Sequence, residues 1–147
     1  MTPTMCHRAR MTIAVAYTPD QYGETALEHG IAWARSHDAR LVLVNVAKHS
    51  RFDEDADFVH GYDLEQLQHR LADASLPAGH RVRQPVGPAT ADLILDAVAD
   101  EGADLLVIGI RHRTPVGKLI MGSVAQKLLL DSQVPVFAAK PGQHPLR

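Results

Sequence analysis

Cysteine is almost missing from this chain: Cys6 stands alone, so no intramolecular disulfide can form and no cysteine cluster can hold zinc. A reducing, intracellular compartment is the expectation. An excess of one charge is missing too. With a formal net charge of −2 the chain is not a nucleic-acid binder driven by bulk charge, although nine histidines would make it more positive in mild acid. No apolar run approaches the ~20 residues of a membrane-spanning helix, and Met1 to Arg10 has no apolar centre of the kind a secretion signal needs. Together these absences predict a cytoplasmic protein with neither a membrane nor a nucleic acid as partner.

Several catalytic signatures are absent as well. Gly117-Lys118 looks like the end of a phosphate loop, but G-x4-G-K-[ST] needs Gly and Ser or Thr where this chain has His112 and Leu119. A dinucleotide fingerprint fails at once, because Arg111 stands two places after Gly109. Ser123 lacks the G-x-S-x-G frame of an activated nucleophile. No H-E-x-x-H or i, i+4 histidine pair occurs; His7, His29, His37, His49, His60, His69, His80 and His144 fall on loops, tails or polar helix faces. The acidic run Asp53-Glu54-Asp55-Asp57 has no glycine where a calcium loop would turn, so it reads as a solvated loop. Binding is therefore better supported than turnover, and no catalytic or metal-ligating residue is assigned.

What is present is alternation. Its 147 residues suit one domain, divided into a disordered extension over 1–10, a folded unit over 11–140 and a tail over 141–147. Met11 to Tyr17 reads as a buried strand broken by Thr18-Pro19-Asp20, and Leu27, Ile31 and Ala34 set a helical stripe between about Gln21 and Ser36. Trp33, one step off that stripe, is expected to pack on the domain edge. Arg40 to Val46 is a second strand, and Leu64, Leu67 and Leu71 mark a short helix. His80 to Val86 is polar enough for an edge strand. Thr90 is placed to cap a helix carrying Leu93, Ile94, Ala97 and Val98. Leu105 to Ile108 is a strand buried on both faces, Gly109 ends it, Ser123 is placed to cap the helix to Asp131, and Val134 to Ala139 closes the series. Five strands alternating with four helices, with no hairpin signal, require crossovers and hence a parallel sheet with helices on both faces.

The segment after the Leu105 strand is built for an anion. Gly109 to Gly117 contains Arg111, His112 and Arg113, and Gly122-Ser123 opens a helix whose free backbone N–H groups attract phosphate. Two arginines flanking His112 disfavour its cationic form. Lys118 reads equally as a phosphate partner and as a solvated side chain.

Gly109, Gly122-Ser123-Val124 and the closing Pro135-Val136 resemble the G-x2-G-x9-G-[ST] signature of the universal stress protein family, with His112 at the second glycine. Val86-Gly87-Pro88-Ala89 resembles that family's V-x-G-x-[PA] turn in compressed form. The resemblance spans roughly Met11 to Lys140. It implies the strand order 3-2-1-4-5 and an adenine nucleotide, ATP or AMP with Mg as a possible companion, bound as a regulatory ligand between the first and fourth strands. Implied contacts are Ala16, Thr18, Val46, Val86, Ile108, Gly109, Arg111, His112, Gly122, Ser123 and Val124. Thr18 falls where the family carries aspartate, so a neutral hydroxyl replaces a carboxylate; Thr18-Pro19 reads equally as a plain turn. The resemblance also implies a homodimer through the last strand, at Val134, Val136 and Phe137. An alternative keeps the fold and the dimer without the ligand. A flavodoxin-like redox protein or an ATP pyrophosphatase would need a Ser/Thr- or Gly-rich loop after the first strand, which Thr18-Pro19-Asp20-Gln21-Tyr22 does not supply.

Overall fold

The structure, a computed structural model, describes residues 10–111 and 121–146. The chain runs β1 (Thr12–Ala16), α1 (Gln21–Ser36), β2 (Arg40–Val44), α2 (Gly61–Asp73), β3 (His80–Arg83), α3 (Thr90–Asp100), β4 (Leu105–Gly109), α4 (Ser123–Asp131) and β5 (Val136–Ala139), with one 3-10 turn at Phe52–Glu54. All strand pairs are parallel and the order is β3-β2-β1-β4-β5. The alternation expected from the sequence and the strand order implied by the family resemblance are both observed. β1 is central, pairing Thr12 to Ala16 with Arg40 to Val44 on one side and Ile13 to Val15 with Leu105 to Val107 on the other.

Strand alternation splits the core into two layers, because successive side chains leave opposite faces of the sheet. Ile13, Val15, Leu41, Leu43 and Val107 face α1 and α2, meeting Leu27, Leu67 and Leu71. Ala14, Val42, Val44, Leu106 and Ile108 face α3 and α4, meeting Ile94, Val98 and Leu128. Trp33 packs at the edge of the first layer, edge-on to Phe137 at 5.7 Å and stacked on His37 at 4.7 Å. α1 lies close to the sheet because Gly30 has no side chain; a Cβ there would sit 2.4 Å from a Val15 methyl.

Three local expectations are corrected. α4 takes Gly122 as its N-cap and Ser123 as its first residue, with no side-chain cap, since the extended backbone of Gly122 (φ −62°, ψ 151°) already places its carbonyl for the amide of Gln126. α3 likewise begins at Thr90 after Ala89. The side chain that does cap is Asp20, whose carboxylate accepts from the amides of Tyr22 at 3.0 Å and Gly23 at 2.8 Å. His29 is not on a polar face: it is 3% exposed, tilted against Phe137 and 3.1 Å from the Gln143 carbonyl. A histidine one turn before Trp33 is buried when the chain beyond β5 returns over it, which helical periodicity does not reveal.

At the opposite end of the sheet, Glu101 gathers three arginines. Its side chain is 5% exposed and pairs with Arg40, with Arg81 at 3.4 Å and with Arg83 at 3.1 Å. Burial opposes ionisation, but the hydrogen bond from Arg83 and the charges of Arg81 and Arg40 outweigh it and hold the carboxyl below the usual carboxylate range. A carboxyl whose folded pKa is depressed stabilises the native state above its unfolded pKa, and that contribution is lost as pH falls through the folded value. Glu101→Gln should therefore cost about 1–3 kcal/mol near neutrality, reduced from the fully buried case because the arginines are partly solvated. The cost should shrink below about pH 4, as read from urea midpoints of both proteins across pH.

Candidate functional site

The central pair β1 and β4 leave the sheet in opposite directions: β1 feeds α1 on one face and β4 leads toward α4 on the other. Neighbouring loops therefore splay apart at the carboxyl ends of these strands, and a crevice opens there. It holds a cavity of about 290 Å³, at the small end of ligand sites, which run from roughly 300 Å³ upward.

Apolar side chains make its floor: Ala16, Val44 and Val46 from β1 and the end of β2, Ile94 from α3, Ile108 from β4 and Leu128 from α4. The rim is polar. Thr18 and Asp20 follow β1, Lys48 and Asp57 come from the loop after β2, Thr90 opens α3, and Arg111 and Gly122 flank the β4-to-α4 connection.

Gly109 is required by the first turn of α1. A Cβ there would lie 2.0 Å from the Tyr22 carbonyl oxygen and 2.6 Å from its carbon, so the helix could not seat at the strand end. Gly23 meets the same limit against the Thr18 carbonyl, at 1.7 Å. Gly122 differs, because among the described residues nothing lies within 4 Å of where its Cβ would be. That position is open space at the start of α4, where helix N–H groups lack intrahelical acceptors.

Charge is arranged at two poles. Arg111 sits with its guanidinium 5.8 Å from the Tyr22 ring centroid, a cation held over an aromatic face beside Gly109. Across the cavity, Lys48 and Asp57 form an ion pair at 2.9 Å. The hydrogen bond and charge of Asp57 hold the Lys48 ammonium above the usual lysine range against a small opposing effect of burial. Between the poles, the Thr18 hydroxyl donates to Asp20 at 2.9 Å, so its proton is committed and its oxygen is left to accept.

The loop carrying Lys48 and Asp57 is not merely solvated, which corrects the reading of its acidic run. Asp55 is buried and accepts from the amides of Lys48 at 2.8 Å and Asp57 at 3.1 Å. Burial disfavours its charge, yet these two amides outweigh that and hold its carboxyl below the usual range. Asn45, fully buried, donates from its amide to the carbonyls of Tyr17 and Asp57, each at 2.9 Å, and accepts from the Val59 amide at 2.9 Å.

Tyr17, which also lines the cavity, donates to Glu24 at 2.5 Å while Arg70 clasps the same carboxylate at 3.0 and 2.6 Å. Burial first, and Glu24 second, push its phenol above the usual tyrosine range. It is a fixed neutral wall.

Of the contacts expected from the sequence, Ala16, Thr18, Val46, Ile108, Gly109, Arg111, Gly122 and Val124 come together on this cavity. Val86 lies outside its lining, half-exposed and bridged to Ala47. Ser123 is exposed and outside the lining. His112, with Arg113 and Lys118, lies outside the described residues. Sequence reasoning missed Tyr22, Lys48, Asp57, Thr90, Ile94 and Met121 as site residues. Tyr22 was signalled by its place two residues after the capping Asp20; Lys48 and Asp57 carried no local signal, since long-range bonds to Asn45 place their loop.

A doubly wound parallel sheet with an apolar-floored, polar-rimmed cavity at its switch point defines an α/β domain. The chain belongs to the universal stress protein family, whose model matches residues 10–140. It is 43% identical over 129 residues to a universal stress protein of Mycolicibacterium smegmatis, covering 88% of this chain and 97% of that one. Among solved structures, a universal stress protein from Archaeoglobus fulgidus in complex with dAMP is 22% identical, with a TM-score of 0.55 over 87% of this chain and 96% of its own. A universal stress protein in complex with cAMP is 21% identical, with a TM-score of 0.69 over 91% of this chain and 99% of its own. These two share the fold. No described helix is long and apolar enough to cross a membrane.

Proposed function

We propose that this chain binds an adenine nucleotide, ATP or AMP, in the crevice between β1 and β4 as a regulatory ligand in a cytoplasmic stress response. The observation that carries the reading is that no described residue fills the space over Gly122, at the start of α4 and on the same cavity as Arg111 and an apolar floor. Main-chain amides that begin a helix, with a guanidinium nearby, suit phosphate. Ala16, Val46 and Ile108 suit the faces of a base or sugar. The solved relatives with dAMP and cAMP support an adenylate as the ligand class. Mg would be carried by the phosphates, with Asp20 a carboxylate on the rim after β1; among the described residues no three His, Cys, Asp or Glu side chains cluster to hold a metal on their own.

The protein acts as a homodimer through β5 in this reading. β5 is the last strand of the order, so among the described residues one of its edges is unpaired, and α4, which precedes it, leaves Leu130 75% exposed. An open edge next to apolar surface favours pairing with a second copy.

Thermal melts test the nucleotide. A ligand at 100 times its Kd adds roughly 2.7 kcal/mol to stability, so ATP or AMP at millimolar concentration should raise the Tm by several degrees. An unchanged melt would leave the alternative, a dimeric interaction protein with an empty crevice. Sedimentation of the same samples reads the dimer, and a single monomeric species would remove it.

A further inference from the structure

Buried polar groups place the Lys48–Asp57 pair. The backbone carrying the two side chains is held by Asp55 and Asn45, which are 7% and 0% exposed. Asp55 binds the amides of both residues. Asn45 binds the carbonyl of Asp57 and, through the Tyr17 carbonyl, ties it to the end of β1. A surface ion pair needs no such support, since it contributes little to stability. A recognition pair does need it, because selectivity depends on side chains fixed by what lies behind them.

Position narrows what the pair can meet. It follows β2, while Arg111 follows β4, and β1 lies between those strands. Two strand spacings of about 4.8 Å put the two poles roughly 10 Å apart across the crevice. With an anion at the Arg111 and Gly122 pole, the ribose spans β1 near Thr18 and the base reaches the other pole.

Resting on the nucleotide reading above, we propose that Asp57 and Lys48 read the amino edge of the base. Asp57 accepts a hydrogen bond from the exocyclic amine, and Lys48 donates to the adjacent ring nitrogen. The carboxylate is an acceptor only and the ammonium a donor only, so the pair matches an edge that offers one donor beside one acceptor. It also places a carboxylate on the β2 side of the crevice, whereas the Asp20 carboxylate in the turn after β1 is occupied by Thr18 and the amides of Tyr22 and Gly23.

The test measures Kd by titration calorimetry for ATP and for purine riboside 5′-triphosphate, which lacks the amine and keeps the ring nitrogen. The intact protein should prefer ATP by about tenfold or more, the range of a charge-assisted hydrogen bond to a partly solvated carboxylate. Asp57→Ala should lose that preference while binding the amine-free analogue within about threefold of the original. Lys48→Met should weaken both ligands alike and keep the ratio.

Equal affinities in the intact protein, or a preference that survives Asp57→Ala, would overturn the inference and leave nucleotide binding standing. No binding of either ligand would remove both together. Because Asp57 and Lys48 are half-exposed and their loop is held by Asn45 and Asp55, both variants should fold, and an unchanged melt of the free protein confirms it.

Discussion

Gly122→Val should abolish the nucleotide-dependent rise in Tm while leaving the ligand-free protein within about 0.5 kcal/mol of the original, as for a substitution in open space. The backbone at Gly122 lies in the extended region at φ −62° and ψ 151°, which valine adopts readily. Its side chain would meet no atom of the described residues within 4 Å of Cβ, so none of them has to repack. The branched group would fill the space over the first amides of α4, which phosphate must approach closely. The loss should equal the whole ligand term, about 2.7 kcal/mol at 100 times the original Kd. Retained affinity in a folded variant would mean that the phosphates lie elsewhere.

Gly109→Ala should do the reverse, destabilising the free protein by about 3 kcal/mol or more, at the upper end of the costs of overpacking. One added methyl would sit 2.0 Å from the Tyr22 carbonyl oxygen, 2.6 Å from its carbon and 2.9 Å from its Cα. Those are main-chain atoms in the first turn of a helix, and they cannot rotate away as a side-chain tip can. Either α1 lifts from β4 or the end of β4 withdraws, and both open the core layer that α1 shares with Val107 and Leu105. Urea unfolding reads the cost, and a midpoint shift worth less than about 1 kcal/mol would mean that the helix start yields more easily than its contacts imply. The two glycines lie on the same cavity, yet among the described residues only Gly109 is closely approached by another segment.

That difference was not legible in the sequence. Gly109 and Gly122 both belong to the signature segment, and spacing alone gives them equal standing. What separates them is whether another chain segment approaches the missing side chain, and the segment that approaches Gly109 is some 87 residues earlier, at Tyr22. The acidic loop gives the same lesson in charge. Asp53, Glu54, Asp55 and Asp57 look alike in sequence, but Asp55 is turned inward onto two amides and Asp57 outward onto Lys48. Local composition predicts solvation for all of them, because it cannot see Asn45 drawing the loop over the end of β1.

Capping was half legible. Asp20, Thr90 and Ser123 all precede or begin helices and all have suitable side chains, and only Asp20 caps. A helix can begin at the expected cap residue where the residue before it leaves the helical region and takes the N-cap position, as Gly122 does in an extended conformation and Ala89 does at φ −91° and ψ 72°. Conversely, Ala16, Thr18, Val46, Ile108 and Arg111 were found on the cavity because each ends or follows a strand of a parallel sheet. Strand ends are visible in the sequence, and topology turns them into neighbours.

By itself the sequence determined the alternation of strands and helices, the parallel sheet that alternation requires, and the family signature after β4. These follow from periodicity and turn chemistry, which act over a few residues and are written locally. Only the tertiary structure decided which of several equivalent residues touch the crevice, which glycine bears steric load, and how Lys48 and Asp57 come to face a site built around β1 and β4. Those outcomes depend on contacts between segments tens of residues apart, where the packing of one element sets the environment of another and no local pattern records it.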